Sequence, residues 1–197
     1  IDPKKKTVKI VDKNGLEEVL PYDSLILATG AVPTIPRKYI KGCDKDGVYV
    51  LRTIRDGKNI KKAMENADSA LVVGAGLIGL EVAHALSENK INTTVAEVLP
   101  YALPLMLDKD MGDLVKKKIE EHGVNVIVGQ PVQEILGGDH VKDAIVGGER
   151  VEADIVVMAT GVRPESELAK EIGAETGLRG AIKVDPRMAT SVSDVYA

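Results

Sequence analysis

The 197 residues include no Phe or Trp and only five Tyr, so the core must be built from Val, Ile, Leu, Ala and Met, and base stacking on aromatic side chains is not available as a binding mode. The formal net charge of −4 with interspersed signs argues against nucleic acid or an anionic membrane as the main partner. No run reaches the roughly eighteen apolar residues of a membrane span, and the N-terminus lacks the basic, apolar and small-residue order of a signal peptide, so a cytoplasmic protein is expected.

Lys4-Lys5-Lys6 is a short basic run and reads as a solvated turn or strand end. Residues 7 to 11 alternate, Lys13-Asn14-Gly15 signals a turn, and residues 17 to 20 resume the pattern, which predicts a β-hairpin. Tyr22 to Gly30 reads as a short buried strand closing on Ala28-Thr29-Gly30. The next stretch carries Pro33, Pro36 and Gly42 and reads as a linker. Cys43 lies within it. As a single cysteine it excludes an internal disulfide or a Cys-x-x-Cys pair, and it reads as an incidental surface or half-buried thiol. A short strand over 48–51 and a helix over 53–67, with Ile54, Ile60, Ala63, Met64 and Ala67 available for one face, follow.

The segment with the most chemical content runs from Ala70 to Glu97. An apolar strand pattern over 70–73 meets Gly74-Ala75-Gly76-Leu77-Ile78-Gly79, a helical pattern extends from about Leu77 to Asn89, and Asn92 to Glu97 reads as a second strand. Each glycine has a distinct physical task in a dinucleotide grip. Gly74 permits the tight turn, Gly76 lets the backbone approach a pyrophosphate, and Gly79 brings helix and strand together. Backbone N–H groups and the positive end of the helix dipole then converge on the phosphates, so no lysine is required. A carboxylate at Glu97, about twenty residues past the glycines, suits the adenosine ribose hydroxyls and repels a 2′-phosphate. Residues 98 to 107 contain no Lys or Arg, which favours NADH over NADPH. On these residues alone, a Rossmann-like unit for another adenosyl ligand, as in a methyltransferase, stays open.

Beyond this unit, residues 101 to 107 read as a proline-broken apolar loop, and Asp108 can cap a helix running to about His122 and stopping at Gly123. His122 then sits near a helix C-terminus, where a cation suits the dipole. His84, His122 and His140 show no ligand-like spacing, and no metal site is expected. A strand over 124–128 precedes a β-meander over 132–152, with turns at Gly137-Gly138 and Gly147-Gly148. Ala153 to Gly161 is a second buried strand that ends on Ala159-Thr160-Gly161, echoing residues 22–30. A short helix with glycine turns over 164–180 and a brief strand over 181–184 follow.

The paired Ala-Thr-Gly strands flanking a Gly-x-Gly-x-x-Gly-x-Glu unit resemble the pyridine nucleotide-disulfide oxidoreductase family of flavoproteins over nearly the whole chain. Residues 48–56 and Gly161-Val162-Arg163-Pro164 are similar to its NADH oxidase, coenzyme A disulfide reductase and NADH peroxidase branch. The fold this implies is α/β: a Rossmann-like three-layer dinucleotide-binding domain with a parallel sheet, helices and a β-meander, flanked by pieces of an FAD domain. The implied boundaries are 1–29 for late FAD-domain strands, 30–44 for a linker, 45–160 for the NAD(H)-binding domain and 161–197 for the return to the FAD domain. The resemblance also implies an internal stretch of a longer, homodimeric enzyme that uses FAD and passes hydride from NADH to flavin and on to a small-molecule acceptor, namely a disulfide, coenzyme A disulfide, peroxide or oxygen. FAD is not expected to bind these residues alone.

Under the same resemblance, coenzyme contacts fall to Gly74, Ala75, Gly76, Leu77, Ile78, Gly79, Glu81, Glu97 and Gly161. Glu81 corresponds to a glutamate near nicotinamide and flavin, and otherwise reads as a helix-surface acid. Leu77 stands where many relatives carry an aromatic gate, Glu165 where an asparagine often follows Arg-Pro, and Arg163 reads as an ion-pair residue. No catalytic residue is expected within the chain. The alternative function is a free-standing NADH-binding sensor, disfavoured by the absence of a basic face for reading DNA.

Overall fold

A computed structural model describes residues 1–197. In chain order the strands and helices are β1 (Thr7–Val11), β2 (Glu17–Pro21), β3 (Leu25–Ile26), β4 (Ala31–Pro33), β5 (Val48–Val50), α1 (Ile54–Met64), β6 (Ser69–Val73), α2 (Leu77–Glu88), β7 (Asn92–Glu97) and α3 (Lys109–Glu120). They continue with β8 (Val124–Val128), β9 (Val132–Gly137), β10 (Val141–Val146), β11 (Glu149–Glu152), β12 (Ile155–Met158), β13 (Val162–Pro164), α4 (Glu167–Glu171) and β14 (Val195–Tyr196). The chain divides into two compact units, one of residues 33–161 and one of residues 1–32 with 162–197.

The larger unit is built on a five-stranded parallel sheet in the order β5-β12-β6-β7-β8. Its central strand β6 is buried at all five positions, as a strand covered on both faces must be. The pleat sends alternate side chains to opposite layers. Ala70 and Val72 join Val95, Val126, Ile155 and Val157 against Ile60 of α1 and Leu80, Val82, Ala83 and Leu86 of α2, with Val115 and Ile119 of α3 packed at the margin. Leu71 and Val73 face the other way with Ala96, Val156 and Met158, against Val132, Ile135, Val141, Ala144 and Val146. Those last five belong to the antiparallel meander β11-β10-β9. Helices, parallel sheet and meander are therefore three layers with a core on each face of the sheet.

Strand β6 leads through α2 to β7 on one side, whereas the chain returns from the meander to β12 on the other. In open α/β sheets a reversal of this kind marks the C-terminal ends of the two strands, here β6 and β12, as the place where ligands bind. Helix α1 begins with a capping box in which the Thr53 hydroxyl accepts from Asp56 N–H and the Asp56 carboxylate accepts from Thr53 N–H at 2.8 Å.

Several local expectations differ from the structure. Asp108 stands at the N-cap of α3 but its side chain makes no capping hydrogen bond, and Ile54 is 82% exposed, apart from the face of α1 that buries Ile60. Cys43 is buried, with Ile40, in the core beneath the meander, because Lys41 bridges Glu134 and the segment around it lies along β9. Pattern alone misses this, since proline and glycine mark turns and not depth. The strand expected over residues 22–30 shrinks to β3, where Ile26 is 72% exposed. Residues 181–184 form no strand; they run beside residues 175–177 through one bridge, Thr176 to Ile182, with Gly177 N–H donating to the Ala181 carbonyl and Lys183 N–H to the Glu175 carbonyl.

In the smaller unit, β1 and β2 form the expected hairpin, and β3–β14 and β4–β13 are two-stranded pairs. Leu27, Ala169, Ala174 and Val195 form its small core. The Thr29 hydroxyl donates to the Glu165 carbonyl.

Candidate functional site

The glycine turn lies at the C-terminal end of β6, beside the start of α2. Gly74 has φ +109, and a Cβ there would stand 2.6 Å from the Ala159 carbonyl oxygen. Both backbone conformation and close approach to β12 therefore exclude other residues. Gly79 is excluded differently: its Cβ would overlap the Gly74 carbonyl oxygen and crowd the Ala159 methyl at 3.3 Å. Gly76 is unlike either. Its φ of −79 is ordinary, and a Cβ there would meet nothing within 4 Å. Nothing in the protein requires glycine at 76, so the requirement points outward, to a group that must approach the backbone.

What could approach is set by α2. No side chain caps this helix and its first turn carries no acid, in contrast to the capping box of α1. The N–H groups of Gly76, Leu77 and Ile78 have no intrahelical acceptor. Together with the dipole they make a site for a diphosphate. Leu77 and Ile78 are 53% and 51% exposed, leaving apolar surface beside the glycine turn. Glu81 is exposed one turn further along α2.

Glu97 ends β7 in the adjacent strand and is 8% exposed. Its Oε2 accepts from Ala75 N–H at 2.8 Å and its Oε1 from Leu99 N–H at 2.9 Å. An ionised carboxylate has about four acceptor positions, so the two occupied ones leave capacity for ribose hydroxyls. Val98 is exposed beside it, and no Lys or Arg occurs over 98–107. The expected ribose acceptor and the glycine turn are thus in direct hydrogen-bond contact, which spacing along the chain does not reveal.

Gly161, at φ +89, follows the C-terminal end of β12. The Thr160 hydroxyl donates to the Thr34 carbonyl at 2.6 Å, and Thr34 N–H donates to the Gly161 carbonyl at 2.9 Å. Thr160, Leu99, Leu103 and Gly112 were not among the expected site residues. The repeated Ala-Thr-Gly was the available signal for Thr160, and a glycine inside the α3 pattern was the signal for Gly112. His84 and His122, far apart in sequence, pack edge to face with ring centroids 5.3 Å apart. No group of three or more His, Cys, Asp or Glu side chains could hold a metal. No helix is long and apolar enough to cross a membrane.

The model of the pyridine nucleotide-disulphide oxidoreductase family matches residues 1–197. The chain is 44% identical over 199 residues to the NADH oxidase of Methanocaldococcus jannaschii, covering all of this chain and 44% of that protein. The structure of an NAD-dependent persulfide reductase from A. fulgidus superposes with a TM-score of 0.94 at 42% identity, over all of this chain and 36% of that one. The water-forming NADH oxidase of Lactobacillus brevis, solved bound to NADH, superposes with a TM-score of 0.90 at 28% identity, over all of this chain and 43% of that one. The chain thus spans less than half the length of these relatives. It belongs to the pyridine nucleotide-disulphide oxidoreductase family.

Proposed function

We propose that this chain supplies the NADH-binding part of an FAD-dependent NADH oxidoreductase. The observation that carries the reading is Gly76, a glycine that neither its own backbone nor any neighbour requires, at the uncapped end of α2. The N–H groups of Gly76, Leu77 and Ile78 bind the pyrophosphate, Gly74 and Gly79 hold turn and helix close enough to present them, and Glu97 accepts from the adenosine ribose hydroxyls. Gly161 borders the nicotinamide side, and Glu81 orients the ring. The exposed Leu77 and Ile78 exclude water from one side of the bound coenzyme. When bound, the cofactors supply the redox chemistry, hydride passing from reduced nicotinamide to flavin and electrons onward to a disulfide, coenzyme A disulfide, peroxide or oxygen.

Residues 45–160 form the NAD(H)-binding domain in this reading, with 1–29 and 161–197 contributing to an FAD domain and 30–44 connecting them. No residue of the chain is assigned to holding the flavin. The parent enzyme works in the cytoplasm as a homodimer. The coenzyme is NADH in preference to NADPH, because Glu97 repels a 2′-phosphate and no cation stands over 98–107 to receive one. Calorimetric titration of the chain with NADH, NADPH and S-adenosylmethionine tests the reading. Binding of NADH alone or in clear preference is expected, and absence of NADH binding, or a preference for either rival, overturns it.

A further inference from the structure

Ala75, between the first two glycines, is fully buried, and the segment that follows β7 engages both of its backbone groups. Its N–H donates to Glu97 Oε2 at 2.8 Å, and its carbonyl accepts from Leu103 N–H at 2.9 Å. That segment is itself held in place. Glu97 Oε1 accepts from Leu99 N–H, the Leu99 carbonyl accepts from Gly129 N–H at 2.8 Å, and the Glu97 carbonyl accepts from Gln130 N–H at 3.1 Å. Leu103 adopts φ +54 to turn its N–H toward Ala75. Behind it, Gly112 of α3 lies so near that a Cβ would stand 2.6 Å from the Ala102 carbonyl oxygen. The segment is thus backed by α3 and β8 and reaches forward to the glycine turn.

From this geometry we infer that Glu97 is a positioning residue for the pyrophosphate turn as well as the ribose acceptor, residues 97–103 and 74–76 forming one braced unit. The inference rests on the NADH reading for its functional consequence and on the hydrogen bonds alone for the brace. A side chain that acts only by repelling a 2′-phosphate favours NADPH when it is removed. A brace, when removed, weakens both coenzymes, because the N–H groups of Gly76 to Ile78 lose their alignment and ordering them must then be supplied from binding. Val98 is 62% exposed and packs in neither core of the larger unit, so an arginine there adds a cation while leaving the Ala75, Leu99 and Leu103 hydrogen bonds in place.

The test uses the full chain with Glu97→Ala, Glu97→Gln and Val98→Arg, read by amide hydrogen exchange without coenzyme and by calorimetric titration with NADH and NADPH. Glu97→Ala is expected to speed exchange at Ala75 and Leu99 by about tenfold or more and to weaken both coenzymes. Glu97→Gln retains one acceptor oxygen and should deprotect one of the two amides, not both. Val98→Arg, a substitution beside Glu97 that touches none of the bracing bonds, should leave exchange at both amides unchanged. Unchanged exchange at Ala75 and Leu99 in Glu97→Ala, or NADPH binding that tightens on that substitution alone, overturns the brace. If Glu97→Ala does not fold, equal protection of both amides in Glu97→Gln overturns it. Failure of the unsubstituted chain to bind NADH counts against the NADH reading, while the exchange measurement still decides the brace.

Discussion

Gly79 faces the carbonyl oxygen of Gly74 across a gap that holds no methyl group. The contact fixes how closely α2 approaches the end of β6, and so where the unpaired N–H groups of the helix point. Gly79→Ala must displace backbone and not a flexible side chain, which is expected to cost about 1–3 kcal/mol of stability. Chemical denaturation measures this; a change within about 0.5 kcal/mol shows that the contact does not constrain the turn.

Gly76→Ala should behave in the opposite way. The added methyl meets no protein atom within 4 Å and φ is −79, so the stability cost is expected to stay at or below about 1 kcal/mol, that of a poorer N-cap. NADH binding should nevertheless weaken by about tenfold or more, since the methyl occupies the space into which the pyrophosphate comes. Equal NADH affinity for the two forms, by calorimetry, contradicts the placement of the phosphates.

Thr160 ties the end of β12 to residue 34 through its hydroxyl, 2.6 Å from the Thr34 carbonyl oxygen. Thr160→Val removes the donor at nearly constant volume and leaves that carbonyl without its side-chain partner, for an expected loss of about 1 kcal/mol. A variant as stable as the parent in urea would show that solvent replaces the bond without cost.

Asp154 joins the beginnings of β12 and β6, its Oδ2 accepting from Ser69 Oγ at 2.8 Å, Ser69 N–H at 2.9 Å and Asp68 N–H at 3.0 Å. Burial is the largest single influence on this carboxyl and pushes its pKa up, but the Ser69 and Asp68 donors and the His140 charge together hold it below the ordinary 3.8. The folded state therefore binds the proton more weakly than the unfolded chain. The resulting stabilisation is present above pH 3.8 and is lost as pH falls below that value through the lower folded pKa. Asp154→Asn should be less stable than the parent at about pH 7, with the difference shrinking toward about pH 3. A gap that stays constant across that range assigns the stabilisation to something other than the ionised carboxylate.

Cys43 is 5% exposed and its Sγ lies 3.2 Å from the Ile40 carbonyl oxygen. Burial, followed by the nearby Asp44 carboxylate, pushes the thiol above its ordinary 9.0. An aromatic disulfide reagent should label it at least about a hundredfold more slowly in the native protein than in denaturant. Comparable rates would mean that the segment around Cys43 opens freely.

The central motif is legible in the sequence because its information is local. The apolar run over 70–73, the glycine spacing and the acid at Glu97 lie within one β-α-β unit, where turn geometry and helix ends follow from the residues themselves. The hairpin, the meander and helices α1 to α3 were equally readable from periodicity and turn residues. The strand over 181–184 was not, since a two- or three-residue pairing depends on what lies opposite it.

From the residues alone came the dinucleotide turn, its acid and the family they resemble, because each is carried by neighbours in the chain. Tertiary structure was needed to show that Glu97 holds the backbone of Ala75, that Leu103 reaches the same residue from the other side, that Cys43 is buried and that Gly76 is required by no protein atom. These relationships join segments that are distant in sequence or depend on the depth at which a segment packs. Hydrophobic periodicity reports which face of an element is buried, and it carries no information about which backbone groups meet across the fold.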